Sequence, residues 1–288
     1  MEGISEKNTK AEILEAFAAM AAENQELKHQ LDAPASEKND QVTVVIPYIG
    51  KFAQGDELKF ALRGWHENFK EKMNVVIIGS GVPKLSEAVH VIECERVGNM
   101  PPIDIAHKML KAIESDLVSE KFIWANDDQY LISPCMLADF EILKCSGKLG
   151  EKNFGSTTYQ QNKKRTMDLL NKEKLGVWDF STHTPFVFEK QKLKSLIEKF
   201  DLTKVQHLIA TVYYNVFFPD FVPLQVDDQV ALDHDNIKIG VYRQNADFTR
   251  LKKLMPGKKL ISNSESGWSP KLAELLANRF PEKCPFEL

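Results

Sequence analysis

Two apolar runs, VTVVIPYIG (Val42–Gly50) and NVVIIGSG (Asn74–Gly81), constrain this chain more than any other feature. Neither alternates apolar with polar residues. Each therefore has to be covered on both faces, which is the situation of a strand inside a parallel sheet. Between them, Asp56–Phe69 places Leu58, Leu62, Trp65 and Phe69 at helical spacing. AVHVIEC (Ala88–Cys94) predicts a third strand, Ile103–Leu117 a helix, and KFIWANDD (Lys121–Asp128) a fourth strand running straight into acid. Strands alternating with helices predict an α/β fold, a mostly parallel sheet flanked by helices and joined by right-handed crossovers. Ligands in such sheets sit beyond the carboxyl ends of the strands. The tips that matter are then Pro47–Gly50, Gly79–Gly81 and Asn126–Asp128.

The second half is less regular. Its spacing predicts helices near Asn162–Lys174, Gln191–Phe200, Lys204–Phe217 and Pro270–Arg279, and a strand at Thr184–Phe188. The break near Gly147–Gly155 reads as a change of subregion within one domain. Ahead of the first strand, Thr9 and Glu12 form an S/T-x-x-E capping box. Ile13, Phe17, Met20, Asn24, Leu27 and Leu31 follow as a heptad seam with one polar a-type position, Asn24. The expected organisation is an N-terminal coiled-coil helix over 1–32, a Pro/Ser-containing linker over 33–41, and an α/β domain over 42–288. Such a seam makes a homo-oligomer when it pairs two chains; an amphipathic helix folded back on its own body shows the same spacing.

Charge enters the argument here. The first forty residues carry nine acids against four lysines, although the whole chain is only −4, so the body is close to neutral. A near-neutral body lacks the basic surplus of a sequence-independent nucleic-acid binder, and nucleic acid is not the expected partner. No apolar run reaches the ~18 residues of a membrane span, and the acidic opening is wrong for a secretory signal. Cys94, Cys135, Cys145 and Cys284 are widely separated, so neither a disulfide framework nor a zinc ribbon is indicated. The expectation is a cytoplasmic protein. There is no Walker loop, no GxGxxG after a strand, no GxSxG elbow and no HExxH.

The acidic strand end is the chemical signal. Asp127 and Asp128 directly follow a buried run, where adjacent carboxylates repel and lose hydration. A hard divalent cation, Mn²⁺ or Mg²⁺, answers that problem, being commonly shared between one or two carboxylates and substrate phosphates. An acidic pair capping a helix that begins near Pro134 answers it too, and spacing alone does not choose. The basic stretches Lys163–Arg165 and Arg250–Lys259 read as solvated faces or as guides for an anionic acceptor.

In order, these pieces resemble the nucleotide-sugar-dependent glycosyltransferases of the GT-A fold, in their bacterial and phage-borne type. VTVVIPYIG resembles the opening strand, and ELKFALRGWHENF followed by VVIIGSGVP resembles an "ELRxxLRSxxxN … xxIxGDxP" run. EKFIWANDDQYLI is similar to "FIxxNDDxFL", the counterpart of the DxD metal motif. HTPFVFEKQKL (His183–Leu193) resembles a segment shared with the Stealth sugar-phosphate transferases, and the tail to Glu287 resembles a closing "FPxxSxFE". The chain departs from the pattern at Gly64, Ser80 and Cys284, where Ser, Asp and Ser are usual.

The resemblance implies a transfer of sugar from a nucleotide-diphosphate sugar to a hydroxyl acceptor such as a glycan, with Mn²⁺ or Mg²⁺. It implies that Asp128 holds the metal, that Asn126 faces ribose or sugar and that Asp127 supports either group. Pro47, Tyr48 and Ile49 would line the nucleotide with Gly79 at the neighbouring tip, Arg63 behind them and Lys108 near the phosphates. Asp179, His183 and Glu265 are the candidates for a general base. His183 is also a candidate metal ligand or a core histidine, and His234 is a weaker ligand candidate. A Stealth-type sugar-phosphate transfer and a non-catalytic glycan-binding module are the competing functions.

Overall fold

In the computed structural model the described residues are 41–151, 153–226, 236–239, 252–253, 255–264 and 267–288. The chain divides into two units between Asp40 and Gln41. The expected coiled-coil helix, Asp227, Asp228, His234 and Glu265 lie outside the described residues.

The first half folds as β1 (Val42–Ile49), α1 (Glu57–Asn68), β2 (Met73–Ser80), β3 (Val89–Glu93), α2 (Pro101–Ile113) and β4 (Lys121–Trp124). The five-stranded sheet has the order β3-β2-β1-β4-β7, where β7 is Phe186–Glu189. β1 pairs in parallel with β2 and β4, β2 pairs in parallel with β3, and only β7 is antiparallel. The sheet is thus mostly parallel, as its unbroken apolar strands demand. Val44 and Ile46 of β1 face α1 through Leu58, Leu62 and Trp65. Val45 joins the opposite core with Ala106 and Met109 of α2, with Leu193 and Leu196 of α5 (Lys190–Lys199), and with Val212 of α6 (Ile209–Phe217). All these apolar side chains are buried, so both faces of β1 are dry from Val42 to Ile46.

The acidic strand end departs from expectation. β4 stops at Trp124, and Asn126–Asp128 form a tight turn into a new strand, β5 (Gln129–Leu131). The Gln129 side-chain carbonyl accepts the Asn126 N–H at 2.9 Å, which closes the turn locally and ends the ladder. β5 belongs to a second sheet of order β5-β10-β9, with β10 at Leu260–Asn263 and β9 at Asn236–Ile239. Its core packs Tyr130 and Ile261 against Phe60 of α1 and Leu272 and Leu276 of α7 (Pro270–Arg279). Gly64 stands where α1 crosses β5: an added Cβ would sit 3.0 Å from the Leu131 backbone nitrogen and oxygen. Close helix–strand approach accounts for glycine there.

The remaining elements are α3 (Leu137–Glu141), β6 (Lys144–Cys145), α4 (Thr158–Lys172) and β8 (Leu224–Gln225), β6 and β8 pairing as a short ribbon. The expected helix Lys204–Phe217 begins only at Ile209, because the Leu208 N–H is taken by the Thr166 hydroxyl of α4 at 3.0 Å. No described helix is long and apolar enough to cross a membrane.

Candidate functional site

The strand order sets the location. β1, β2 and β3 step one way across the sheet, and the chain then returns to place β4 on the other side of β1. At such a reversal the connections leave the sheet in opposite directions and open a crevice beyond the strand ends. β1 and β4 deliver Pro47–Ile49 and Asn126–Asp128 to that crevice, where they line one cavity of about 570 Å³ together with Lys108 of α2. Six of the expected nucleotide-binding residues therefore converge with the expected metal-binding residue.

Acid dominates the cavity floor. Glu57, the first residue of α1, is buried beneath the turn. Its carboxylate accepts the Asn263 side-chain amide at 2.7 Å and the Gln54 N–H at 3.1 Å. Asn263 in turn accepts the Tyr130 hydroxyl at 2.7 Å, so β10 and β5 are tied to α1 through polar contacts. Burial, then Asp128, then Glu57 push the Asp127 carboxyl up to about 8. Its side chain keeps some opening to the cavity but lies deep among protein atoms. The Glu57 carboxyl is raised as well, by burial first, against the lowering effect of its hydrogen bonds. Three carboxylates in one poorly hydrated place create a strong demand for positive charge.

Asp128 is held asymmetrically. His183 Nε2 lies 3.2 Å from Asp128 Oδ2 and 3.2 Å from the Asn263 carbonyl oxygen. A carbonyl can only accept, so this nitrogen carries the proton and is shared between the two oxygens. Asp128 Oδ1 is buried with no hydrogen-bond partner, an arrangement that costs roughly 1–3 kcal/mol for a polar atom and more for a charged one. An orphaned carboxylate oxygen in an acidic crevice fits a hard divalent cation. Among the described residues no three His, Cys, Asp or Glu side chains gather as a metal site, so these residues supply few ligands. Such a shell is completed by phosphate oxygens and water.

No family model and no curated protein matches the chain. Solved structures similar to it include the apo form of the glycosyltransferase GlyE from Streptococcus pneumoniae TIGR4, at 11% identity and a TM-score of 0.41. A second structure of GlyE gives 11% identity and a TM-score of 0.40. The first covers 84% of this chain and 61% of its own length, so this chain spans less than two thirds of the GlyE structure.

The structure separates other expected residues from the crevice. Arg63 is not behind the nucleotide-lining segment: its Nε and Nη2 pair with Glu287 at 2.7 and 2.8 Å, and Nη1 donates to the Phe280 carbonyl at 2.7 Å. It pins the C-terminal tail. Asp179 lies in a different, small cavity with Ser146 and Gln160, paired to Lys163 at 2.6 Å, so it is not a base for chemistry at Asp128. Gly79 has a packing reason: an added Cβ would lie 1.6 Å from the Tyr48 carbonyl oxygen, inside the backbone of β1. Lys108 does line the crevice, but both oxygens of Asp104 hold its ammonium at 2.7 Å. The less committed cation is Arg96, unforeseen from the sequence. It lies 4.5 Å over the Phe52 ring at the same cavity, and its Nε is buried without a hydrogen-bond partner. Glu57 and Asn263 were also unforeseen; an acid opening a helix beside a strand tip was the available signal for Glu57.

Proposed function

We propose that this chain is a glycosyltransferase that uses a nucleotide-diphosphate sugar and a divalent cation. The observation that carries the reading is the unpartnered, buried Asp128 Oδ1 at the sheet's reversal point, in a crevice acidic on its floor and cationic on its wall. Pro47, Tyr48 and Ile49 offer the nucleoside a backbone-edged wall, Asn126 and Asp127 offer polar groups to ribose or sugar, and Arg96 meets the diphosphate. A divalent cation at Asp128 would supply the charge that offsets the negative charge growing on the leaving diphosphate.

In the transfer, an acceptor hydroxyl oxygen bonds to the anomeric carbon as the bond from that carbon to the diphosphate oxygen breaks. The electron pair leaves with the diphosphate, and the hydroxyl proton passes to a base. His183 is the residue we assign to that proton. Its Nε2–H is directed at Asp128 and Asn263, so a proton taken up by this ring arrives at Nδ1. The same contact makes His183 the residue that turns Asp128 Oδ1 toward the cation, in preference to a ligand of its own.

A thermal-shift screen of nucleoside diphosphates with and without Mn²⁺ tests the reading, because a ligand of the folded state raises its apparent stability. One diphosphate should stabilise the protein only with metal present, and Asp128→Asn should remove that increment while leaving a cooperative melt. Equal shifts with chelator, with Mn²⁺ and in the variant would remove the metal assignment. Product analysis separates the Stealth-type alternative: transfer of a sugar releases nucleoside diphosphate, transfer of a sugar phosphate releases nucleoside monophosphate.

A further inference from the structure

A second cavity, of about 840 Å³ and lined by residues from Asn99 to Ala210, opens beside the first and shares Pro101, Ile105 and Asn126 with it. His183 lines this second space while its Nε2 touches Asp128 of the first. The two walls differ in charge. The first cavity carries Glu57, Asp127, Asp128, Arg96 and Lys108. Among the described residues, no Asp, Glu, Lys or Arg lines the second. His207 lines it with a ring held neutral, pushed down to about 4 by burial and then by Arg165. The basic stretch Lys163–Arg165 adds no free charge. Lys163 pairs with Asp179 at 2.6 Å, and Arg165 Nη1 donates to Asn162 Oδ1 at 2.7 Å and to the Gln206 carbonyl at 3.2 Å. An ionised guest would give up its hydration here with no lysine, arginine or carboxylate to meet it.

Two buried amides supply the specific signal. Gln129 and Asn162 are 1% and 3% exposed, and both line the second cavity. The oxygen end of each is spent inside the protein: Gln129 Oε1 accepts the Asn126 N–H at 2.9 Å, and Asn162 Oδ1 accepts Arg165. A backbone N–H and a guanidinium can only donate, so each amide is fixed with its nitrogen turned the other way. Gln129 Nε2 and Asn162 Nδ2 have no hydrogen-bond partner among the described residues, and neither is wholly covered, so their open side is the cavity. Buried donors of this kind are uncommon, and they are costly unless something accepts from them.

Those donors choose among uncharged guests. An apolar molecule would cover both amides and leave them unpaired. A peptide brings backbone N–H groups of its own, and the amide oxygens that could accept from them are already taken. A saccharide ring presents oxygens that accept from both nitrogens, while its remaining hydroxyls bond one another or water. We infer that the second cavity is the acceptor site and takes an uncharged saccharide, held by the Gln129 and Asn162 amides with one hydroxyl at His183. This inference rests on the glycosyl-transfer reading. The hydroxyl oxygen forms the new bond to the anomeric carbon, the carbon–diphosphate bond breaks with its electrons on the diphosphate, and the proton goes to His183.

The probes are the methyl glycosides of glucose, galactose, mannose and N-acetylglucosamine. The methyl glycoside of glucuronic acid, a blocked serine tripeptide and 2-naphthol serve as charged, peptide and apolar comparators. Calorimetry on the full chain should show at least one neutral glycoside binding, and no comparator at equal concentration should displace it. Asn162→Leu, which keeps the bulk of the side chain and removes its donor, should weaken that binding about tenfold, the scale of one stranded hydrogen-bonding group. Metal-dependent diphosphate binding should be retained in this variant. Thr158 stands exposed on the rim of the cavity. Thr158→Trp narrows the mouth and should weaken the glycoside likewise, which keeps the test decisive where Asn162→Leu folds poorly. The proposal is overturned when none of the neutral glycosides binds, when a comparator displaces the bound one, or when both variants bind it as the parent does. The nucleoside diphosphate screen separates the two claims. Metal-dependent diphosphate binding without glycoside binding removes the saccharide acceptor alone. Glycoside binding without any diphosphate binding removes the transfer reading and the acceptor role with it.

Discussion

Among the described residues, Lys174, His183 and Asp201 combine a side chain with a positive φ. Lys174 and Asp201 come two residues after α4 and α5, where a left-handed residue is an ordinary way to end a helix. His183, at φ 54°, ends no helix. Strain of this kind, of order 1–3 kcal/mol, persists where surrounding contacts impose it, and here the contacts are Asp128 and the Asn263 carbonyl. His183→Asn separates geometry from chemistry, because Asn tolerates the same backbone. The variant should melt within a few degrees of the parent and lose turnover by ~10²-fold or more. A collapsed melting temperature with turnover preserved in the folded fraction would make His183 a structural histidine. His207 gives a pH prediction. Its folded value near 4 lies below the ordinary 6.5, so between those values the unfolded chain binds a proton that the folded chain does not. Stability should therefore fall as pH drops from 6.5 to 4 and gain nothing from this group above 6.5. The ring is covered yet borders a cavity, so about 1–2 kcal/mol is expected, near half of the full conversion. Urea midpoints at pH 7 and pH 4.5 should show His207→Gln less acid-sensitive than the parent.

At the level of elements, the first half was legible because its signals are local. β1, β2 and β3 fall within a residue of the expected runs, and α1 within one of Asp56–Phe69. Continuous β-branched stretches and helical spacing need no knowledge of partners. The turn at Asn126–Asp128 was not legible, because its closure depends on the Gln129 side chain and on β10, more than a hundred residues away, whose Asn263 N–H donates to the Asp128 carbonyl at 3.1 Å. Arg63 failed for the same reason. On a helical pattern it looks free to reach a ligand, and only the folded chain brings Glu287 to it. Arg63 and Glu287 side chains are each 12% exposed, so removing one leaves the other poorly hydrated and alone. Arg63→Met should cost about 2–4 kcal/mol of stability, read by urea denaturation, since the loss includes an uncompensated carboxylate and two backbone contacts. Diphosphate affinity of the folded variant should stay within twofold. A tenfold weakening would return Arg63 to the nucleotide site.

At the scale of the whole chain, the site and the heptad segment fall in separate parts. Every residue assigned above to the two cavities lies between Pro47 and Ala210, with Asn263 reaching in from β10, and the chain divides after Asp40. The seam from Ile13 to Leu31 is too short to be a strong independent helix pair, and marginal helices of this length gain their stability from what they pack against. Asn24 at an a-type position is a cost inside a folded-back helix, where any apolar residue would serve better. In a two-chain seam it sets register, at the same cost in stability. We therefore expect residues 1–40 to join chains and to leave chemistry to the remainder. Light scattering of the 41–288 chain should give fewer chains per particle than the full chain, and its melting temperature and metal-dependent diphosphate binding should match. Asn24→Leu in the full chain should raise the thermal stability of the assembly and broaden its distribution of sizes, because the register constraint is gone. An unchanged number of chains per particle after truncation, together with a lower melting temperature, would assign the segment to its own body instead.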